Sequence, residues 1–258
     1  MRFIKNFTKF RFLLIELVKK EIKLKYRRSY LGYVWTLLEP LLTTLVLAYV
    51  FGTLLGNNDP HFPVYILTGR LLYSFFSTST KAAMRSIRRH SGMIKKVYVP
   101  KYIYPLSAIL SNFVIFIFSL LVLVGACIVQ GIKPTIYTLQ AIFPLIILLV
   151  MALGVGLILS SLAVFFRDLE YLWEVFLMIV MYCCAIFYKA DRLIDGDKGW
   201  ILNLNPLYAV IKNFRFAILD GAPLGFNSMC YASGFSILVL VVGLFVFYKS
   251  QDKFILNI

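Results

Sequence analysis

The sequence predicts an all-α membrane protein of six transmembrane helices, with an amphipathic helix at the interface before the first span and short re-entrant helices before the last. Three observations predict it. Apolar runs cover residues 31–55, 62–80, 102–130, 139–166, 169–188 and 229–248, each near the roughly 20 residues that cross about 30 Å of hydrocarbon. With 60% of its 258 residues hydrophobic, the chain is almost consumed by spans and connectors, so no soluble catalytic domain is expected and energy must come from elsewhere. Of 27 Lys and Arg, 20 fall on one set of alternating connections, the pattern of short basic loops retained on the cytoplasmic side. Both termini are therefore expected in the cytoplasm, with residues 56–61, 131–138 and 189–228 outside. The first span follows a long basic segment and has no small-residue cleavage site, which excludes a signal peptide.

Residues 10–27 open the pattern. Phe10, Leu13, Leu14, Leu17, Val18 and Leu24 recur at helical spacing, while Glu16, Lys19, Lys20, Lys23 and Arg27 collect opposite them. Such a helix lies flat among headgroups. It serves as an anchor or also borders an entrance or a partner.

Charges inside the spans are expensive and need an account. Glu39 is the only acid in the body of the first span, one residue before Pro40. In and beyond the second span, Arg70, Ser74, Ser77, Lys81, Arg85 and Arg88 follow one helical stripe. That stripe is either a cationic wall of a transport path for an anionic diphosphate or phosphate headgroup, or a set of side chains in which Lys81, Arg85 and Arg88 reach the cytoplasmic interface while Arg70 pairs with Glu39 or reaches the outer headgroups. Tyr33, Trp35, Tyr49, Tyr65 and Tyr73 offer flat faces with polar edges, which suit sugar rings and equally suit interfacial belts.

Residues 81–101 hold seven cations and no acid, more than a topology signal needs. Ser91, Gly92 and Pro100 interrupt helix there, leaving a short helix in a docking surface for a soluble subunit or for anionic lipid. The connection around Arg167 and Asp168 is too short to have slack. Residues 189–228 begin with a polar turn-rich loop containing Asp191, Asp195 and Asp197. They continue in a stretch too polar to cross alone, read as short helices that dip and return with Asn205 and Pro206 at the bend.

Several classes are excluded. The net charge of +15 sits where topology and headgroups place it, so nucleic acid is not the expected partner. Cys127, Cys183, Cys184 and Cys230 show no CxxC spacing, and His61 and His90 have no partners at ligand spacing, so neither metal nor disulfide chemistry is indicated. A membrane-embedded transferase would need a base or nucleophile near the membrane, and His90 stands alone in a cationic loop.

The stretch KYRRSYLGYVWTLLEP, with Lys25, Tyr26, Arg27, Arg28, Ser29, Leu31, Gly32, Trp35 and Pro40, is followed by Phe51 and Gly52. FFRDLEYL surrounds Arg167 and Asp168, and LNPLY surrounds Asn205 and Pro206. Together these segments resemble the transmembrane subunit of ABC-2 type exporters of cell-surface polysaccharides such as O-antigen, capsule and teichoic acid. The resemblance implies a homodimer of six-span subunits in the bacterial cytoplasmic membrane, paired with two copies of a separate ATPase that binds ATP and Mg. The chain itself has no GxxxxGKS or GxxxxGKT loop, and no cofactor of its own is expected. The implied cargo is a polyprenyl-diphosphate-linked polymer. An exporter of drugs or small lipids shares the topology and is the alternative. The expected substrate path comprises Tyr33, Trp35, Glu39, Arg70, Tyr73, Ser74, Ser77 and Lys81. ATPase coupling is expected at Arg88, Arg89, Lys95, Lys96, Arg167 and Asp168, and the gate at Asn205 and Pro206 within residues 192–225.

Overall fold

Backbone polar groups that leave water must pair within their own segment, and long apolar runs therefore emerge as helices. A computed structural model describes residues 2–27, 29–54, 59–96, 99–190 and 199–254, with side chains from Phe10 onward except at 52–54, and among them there is no strand. Arg28, residues 55–58 and the segment with Asp191, Asp195 and Asp197 lie outside the described residues, as does the start of the 192–225 gate; at Gly52 only the backbone is described.

Helix α1, Arg2–Tyr26, is longer than the 10–27 expected and buries Leu14 and Leu17. A 3-10 turn, Gly32–Val34, leads into α2, Trp35–Leu54. Helix α3, Phe62–Arg89, has Pro63 in its first turn and runs well past residue 80 before ending at His90. The short α4, Ser91–Ile94, follows, then α5, Ile103–Val129. A 3-10 segment, Ile136–Ala141, precedes α6, Ile142–Phe165. Helix α7 is Leu169–Tyr182, α8 Gly199–Asn203, α9 Pro206–Arg215 with a π turn Phe216–Asp220, and α10 Phe226–Ser250.

Among the described residues, four helical stretches are long and apolar enough to cross a membrane: Gly32–Phe51, Ile103–Val129, Ile136–Phe165 and Phe226–Lys253. Two of the six expected runs behave differently. With 28 residues, α3 extends about 42 Å, which is ample, but Arg70 and the hydroxyl residues Ser74 and Ser77 to Thr80 make it too polar to join the apolar set. Over the 169–188 run the helix itself stops at Tyr182, 14 residues or about 21 Å long. Residues 183–188 turn instead, with Ala185 at φ +47°, a conformation no helix continues through.

The core lies where α3, α5 and α6 meet, around Leu72, Phe75, Ile109, Phe116, Leu148 and Met151. Helix α10 lies along α6 over the largest interface, and the approach is closest at Gly154 and Gly243. Gly156 allows the same intimacy between α6, Ala83 and Ile109. Helices in lipid gain little from hydrophobic burial and associate by close packing of small residues, which explains glycine at these crossings. The outward faces of α2, α5, α7 and α10 are rich in exposed Leu, Val, Ile and Phe, as lipid contact requires.

Candidate functional site

The polar groups of the first two runs converge on a groove walled by α2, α3 and α5 and reached by the end of α1. Its lining includes Lys25, Thr36, Glu39, Thr43, Arg70, Ser74, Thr78, Asn112 and Ser119. Their backbones supply part of the satisfaction that depth demands. Thr78 donates to the Ser74 carbonyl at 2.7 Å, Thr43 to Glu39 at 2.7 Å and Asn112 to Ala108 at 2.8 Å. Glu39 and Arg70 share the hollow without forming an ion pair, so the pairing considered from sequence is not made. The groove widens toward the basic end of the bundle, where Lys25, Thr78, Lys81, Arg85, Arg89 and Asn112 line it with Glu21 and Glu174.

The expected stripe splits into two faces. Arg70, Ser74 and Lys81 border the groove, and the position between them is taken by Thr78. Ser77 is instead buried, and Tyr73 is turned toward α7, its hydroxyl donating to the Leu177 carbonyl at 2.7 Å. Stepping by 3.6 residues from Ser74 reaches 77 or 78 almost equally, and only packing decides which faces the hollow. Tyr33 and Trp35 stay exposed, 58% and 41%, at the start of α2 beside rather than inside the polar groove.

At the basic end a charged network joins α3 to its neighbours. Arg85 contacts Glu170 at 2.9 Å and Glu174 at 3.6 Å, and Arg88 contacts Glu170 at 3.3 Å. Arg88 also donates through Nε to the Ala163 carbonyl in the last turn of α6, at 3.0 Å. Arg89 reaches Glu21 on α1 at 3.1 Å, and His90 lies 3.6 Å from the same carboxylate while its ring stacks on Tyr104. Arg88 and Arg89 are thus engaged within the chain. Lys95, Lys96, Arg167 and Asp168 lie exposed in the adjoining turns.

At the opposite end Asn205 caps α9, its side-chain oxygen accepting from the Leu207 and Tyr208 amides, while Pro206 occupies the first helical position, where no amide is missed. The Asn205 amide also donates to the Cys183 carbonyl at 3.0 Å, tying the helix to the turn after α7. Arg215 is buried and forms the centre of this cap. It donates to Thr68, to the Ala185 carbonyl at 3.0 Å and to the Tyr65 carbonyl at 3.0 Å, with its guanidinium 3.5 Å above the Tyr65 ring. Gly69 leaves room for it: a Cβ there would meet Arg215 Nη2 at 2.6 Å. Asp59 and Lys189 pair at 2.7 Å nearby, and the Lys189 hydrogen bond holds the Asp59 carboxyl below its ordinary range. That tie is therefore present at neutral pH and lost only as pH falls through the lowered value.

A profile for ABC-2 type transporters matches residues 13–219, most of the chain. The chain belongs to the ABC-2 type transporter family. Among its relatives, the ABC-2 subunit is 31% identical over 245 residues to the O-antigen export system permease protein RfbA of Klebsiella pneumoniae, covering 94% of this chain and 93% of that one. It is 26% identical to the RfbA of Myxococcus xanthus, covering 98% of both. To the polysialic acid transport protein KpsM of Escherichia coli it is 23% identical, covering 92% and 93%.

Within this ABC-2 subunit the structure adds residues that sequence reasoning passed over. Thr78, Asn112 and Ser119 face the groove, and a lone Asn in an otherwise apolar run was the available signal for Asn112. Glu21 and Arg215 reveal their roles only through partners about 70 and 150 residues distant in sequence, beyond any local pattern.

Proposed function

We propose that this chain is the membrane-embedded subunit of an exporter that moves a polyprenyl-diphosphate-linked cell-surface polysaccharide, of O-antigen, capsule or teichoic-acid type, outward across the cytoplasmic membrane. The observation that carries this reading is likeness over nearly the whole chain to permeases named for O-antigen and polysialic acid transport. It also favours polysaccharide over drugs. Two copies would form the conduit, driven by a separate ATPase that binds ATP and Mg. Six spans follow if α3 crosses with its polar face on the conduit and the 169–188 run crosses as a short helix plus turn. The α8–α9 cap would then be the re-entrant gate, with Asn205 and Pro206 at its bend and both termini in the cytoplasm. A long glycan cannot be enclosed, so weak contacts repeated along a path must replace a closed site. The cations Arg70 and Lys81, which form no ion pair among the described residues, suit a diphosphate entering that path.

Neutralising Arg70 and Lys81 together, R70Q with K81Q, is expected to cut surface glycan by about tenfold, as loss of two charge-assisted contacts implies. The ATPase should still co-purify. Normal surface glycan in that variant would remove the groove from the transport path. Reversing Arg88, Arg89, Lys95 and Lys96 is expected to weaken recovery of the ATPase with this chain, because the basic face would then repel its partner. Undiminished recovery would leave that charge a topology signal alone.

A further inference from the structure

Beside the cationic groove lies a second, apolar cleft. Ile22 of α1, Tyr33 and Val34 of the 3-10 turn, Leu37 of α2, and Val114, Phe118 and Leu121 of α5 line it, and its volume is about 510 Å³. The polar groups on its wall are few, and the Thr36 hydroxyl is already committed to the Tyr33 carbonyl at 2.7 Å. Thr36 and Ile115 border both this cleft and the groove, and Ile115 also borders the wider mouth that holds Lys25 and Lys81. A hydrocarbon slot and a cationic slot therefore meet along a shared edge. At the mouth Arg89 is engaged by Glu21 and Arg85 by Glu170 and Glu174, whereas Lys25 and Lys81 form no ion pair among the described residues.

We propose that this cleft holds the isoprenoid chain of the substrate while its diphosphate enters the groove between Lys25 and Lys81. The proposal rests on the polysaccharide-exporter reading and adds where one subunit loads its lipid. Moving a hydrocarbon chain from lipid into an apolar cleft changes little free energy, because lipid is as apolar as the cleft. Affinity must then come from the head and orientation from the tail. Two lysines match the charge of a diphosphate, whereas the phosphodiester of an ordinary phospholipid neutralises only one.

The test uses this chain with its ATPase in phosphatidylcholine nanodiscs and a benzophenone-bearing geranylgeranyl diphosphate. Labelling is expected within α5 between Val114 and Leu121 or on the start of α2. Unlabelled geranylgeranyl diphosphate should displace it, and phosphatidylglycerol should not. Filling the cleft with L37W and V114W is expected to reduce labelling about fivefold and to lower export, with ATPase recovery unchanged. F118Q, which makes the wall polar, is the second variant and should also reduce labelling. Labelling confined to other helices, or equal competition by phosphatidylglycerol, would overturn the proposal. So would a disulfide between two copies carrying F118C, since a second copy would then cover the cleft. If the cleft variants export normally while R70Q with K81Q does not, the cleft proposal falls and the exporter reading stands. If deleting the chain leaves surface glycan intact, the exporter reading itself falls.

Discussion

Gly154→Ala is expected to lower the melting temperature of the solubilised subunit by about 5 °C, the shift that 1–3 kcal/mol of overpacking produces in a chain of this size. The added Cβ would stand 2.6 Å from the Leu240 nitrogen, 2.7 Å from the Val239 carbonyl carbon and 2.8 Å from the Leu240 Cα. All three are backbone atoms, so no rotamer change relieves the clash and α10 must move away from α6. The contact is reciprocal, because a Cβ on Gly243 would meet the Gly154 carbonyl oxygen at 2.5 Å. Gly234, on the same α10, has nothing within 4 Å of its would-be Cβ and provides the control. There alanine should hold or raise stability through its better helix propensity. Size-exclusion recovery after heating measures both, and equal melting of wild type and Gly154→Ala would show that the helices are not locked at this crossing.

Glu170→Lys should reduce export by about tenfold or more while the subunit still folds and recruits its ATPase, because it turns a paired cluster into one of like charges. Glu170 is approached by Arg85 at 2.9 Å and Arg88 at 3.3 Å, with its side chain only 22% exposed. Helix α7 buries Leu177, and its Trp173 donates to the Thr80 hydroxyl at 3.1 Å, so the glutamate network and this bond together hold its basic end against α3. Movement at α4 would pass through the contiguous end of α3 and these arginines to α7. Adding Arg85→Glu to Glu170→Lys restores an opposite-charge pair and is expected to recover part of the export. A Glu170→Lys variant that exports normally, assayed as surface glycan per unit of subunit, would remove the network from force transmission.

Much of this was legible along the chain. The apolar runs announced helices, and the interfacial pattern of residues 10–27 announced α1, because hydrocarbon forces backbone groups to pair locally and leaves side chains to report their surroundings by period alone. Asn205 and Pro206 were readable as a bend for the same local reason: an N-cap and a first-turn proline need only near neighbours. The stripe on α3 was legible in direction but not in detail, since Ser77 and Thr78 lie on either side of a boundary that α7 and α5 draw. The end of α7 was not legible, because residues 183–188 are as apolar as the helix before them and turn for tertiary reasons, with the Ala185 carbonyl held by Arg215.

By itself the sequence determined that this protein is helical, with apolar runs long enough to cross a membrane and its cations clustered between them. Local pairing and the exclusion of charge from hydrocarbon suffice for that. Only the tertiary structure decided that Arg70 and Asn112 line one groove, that Arg85 and Arg88 clasp Glu170, and that Arg215 is buried against Tyr65. Those contacts join segments far apart in the chain, and such pairings depend on which helix faces pack together, a choice that no periodicity within one helix encodes.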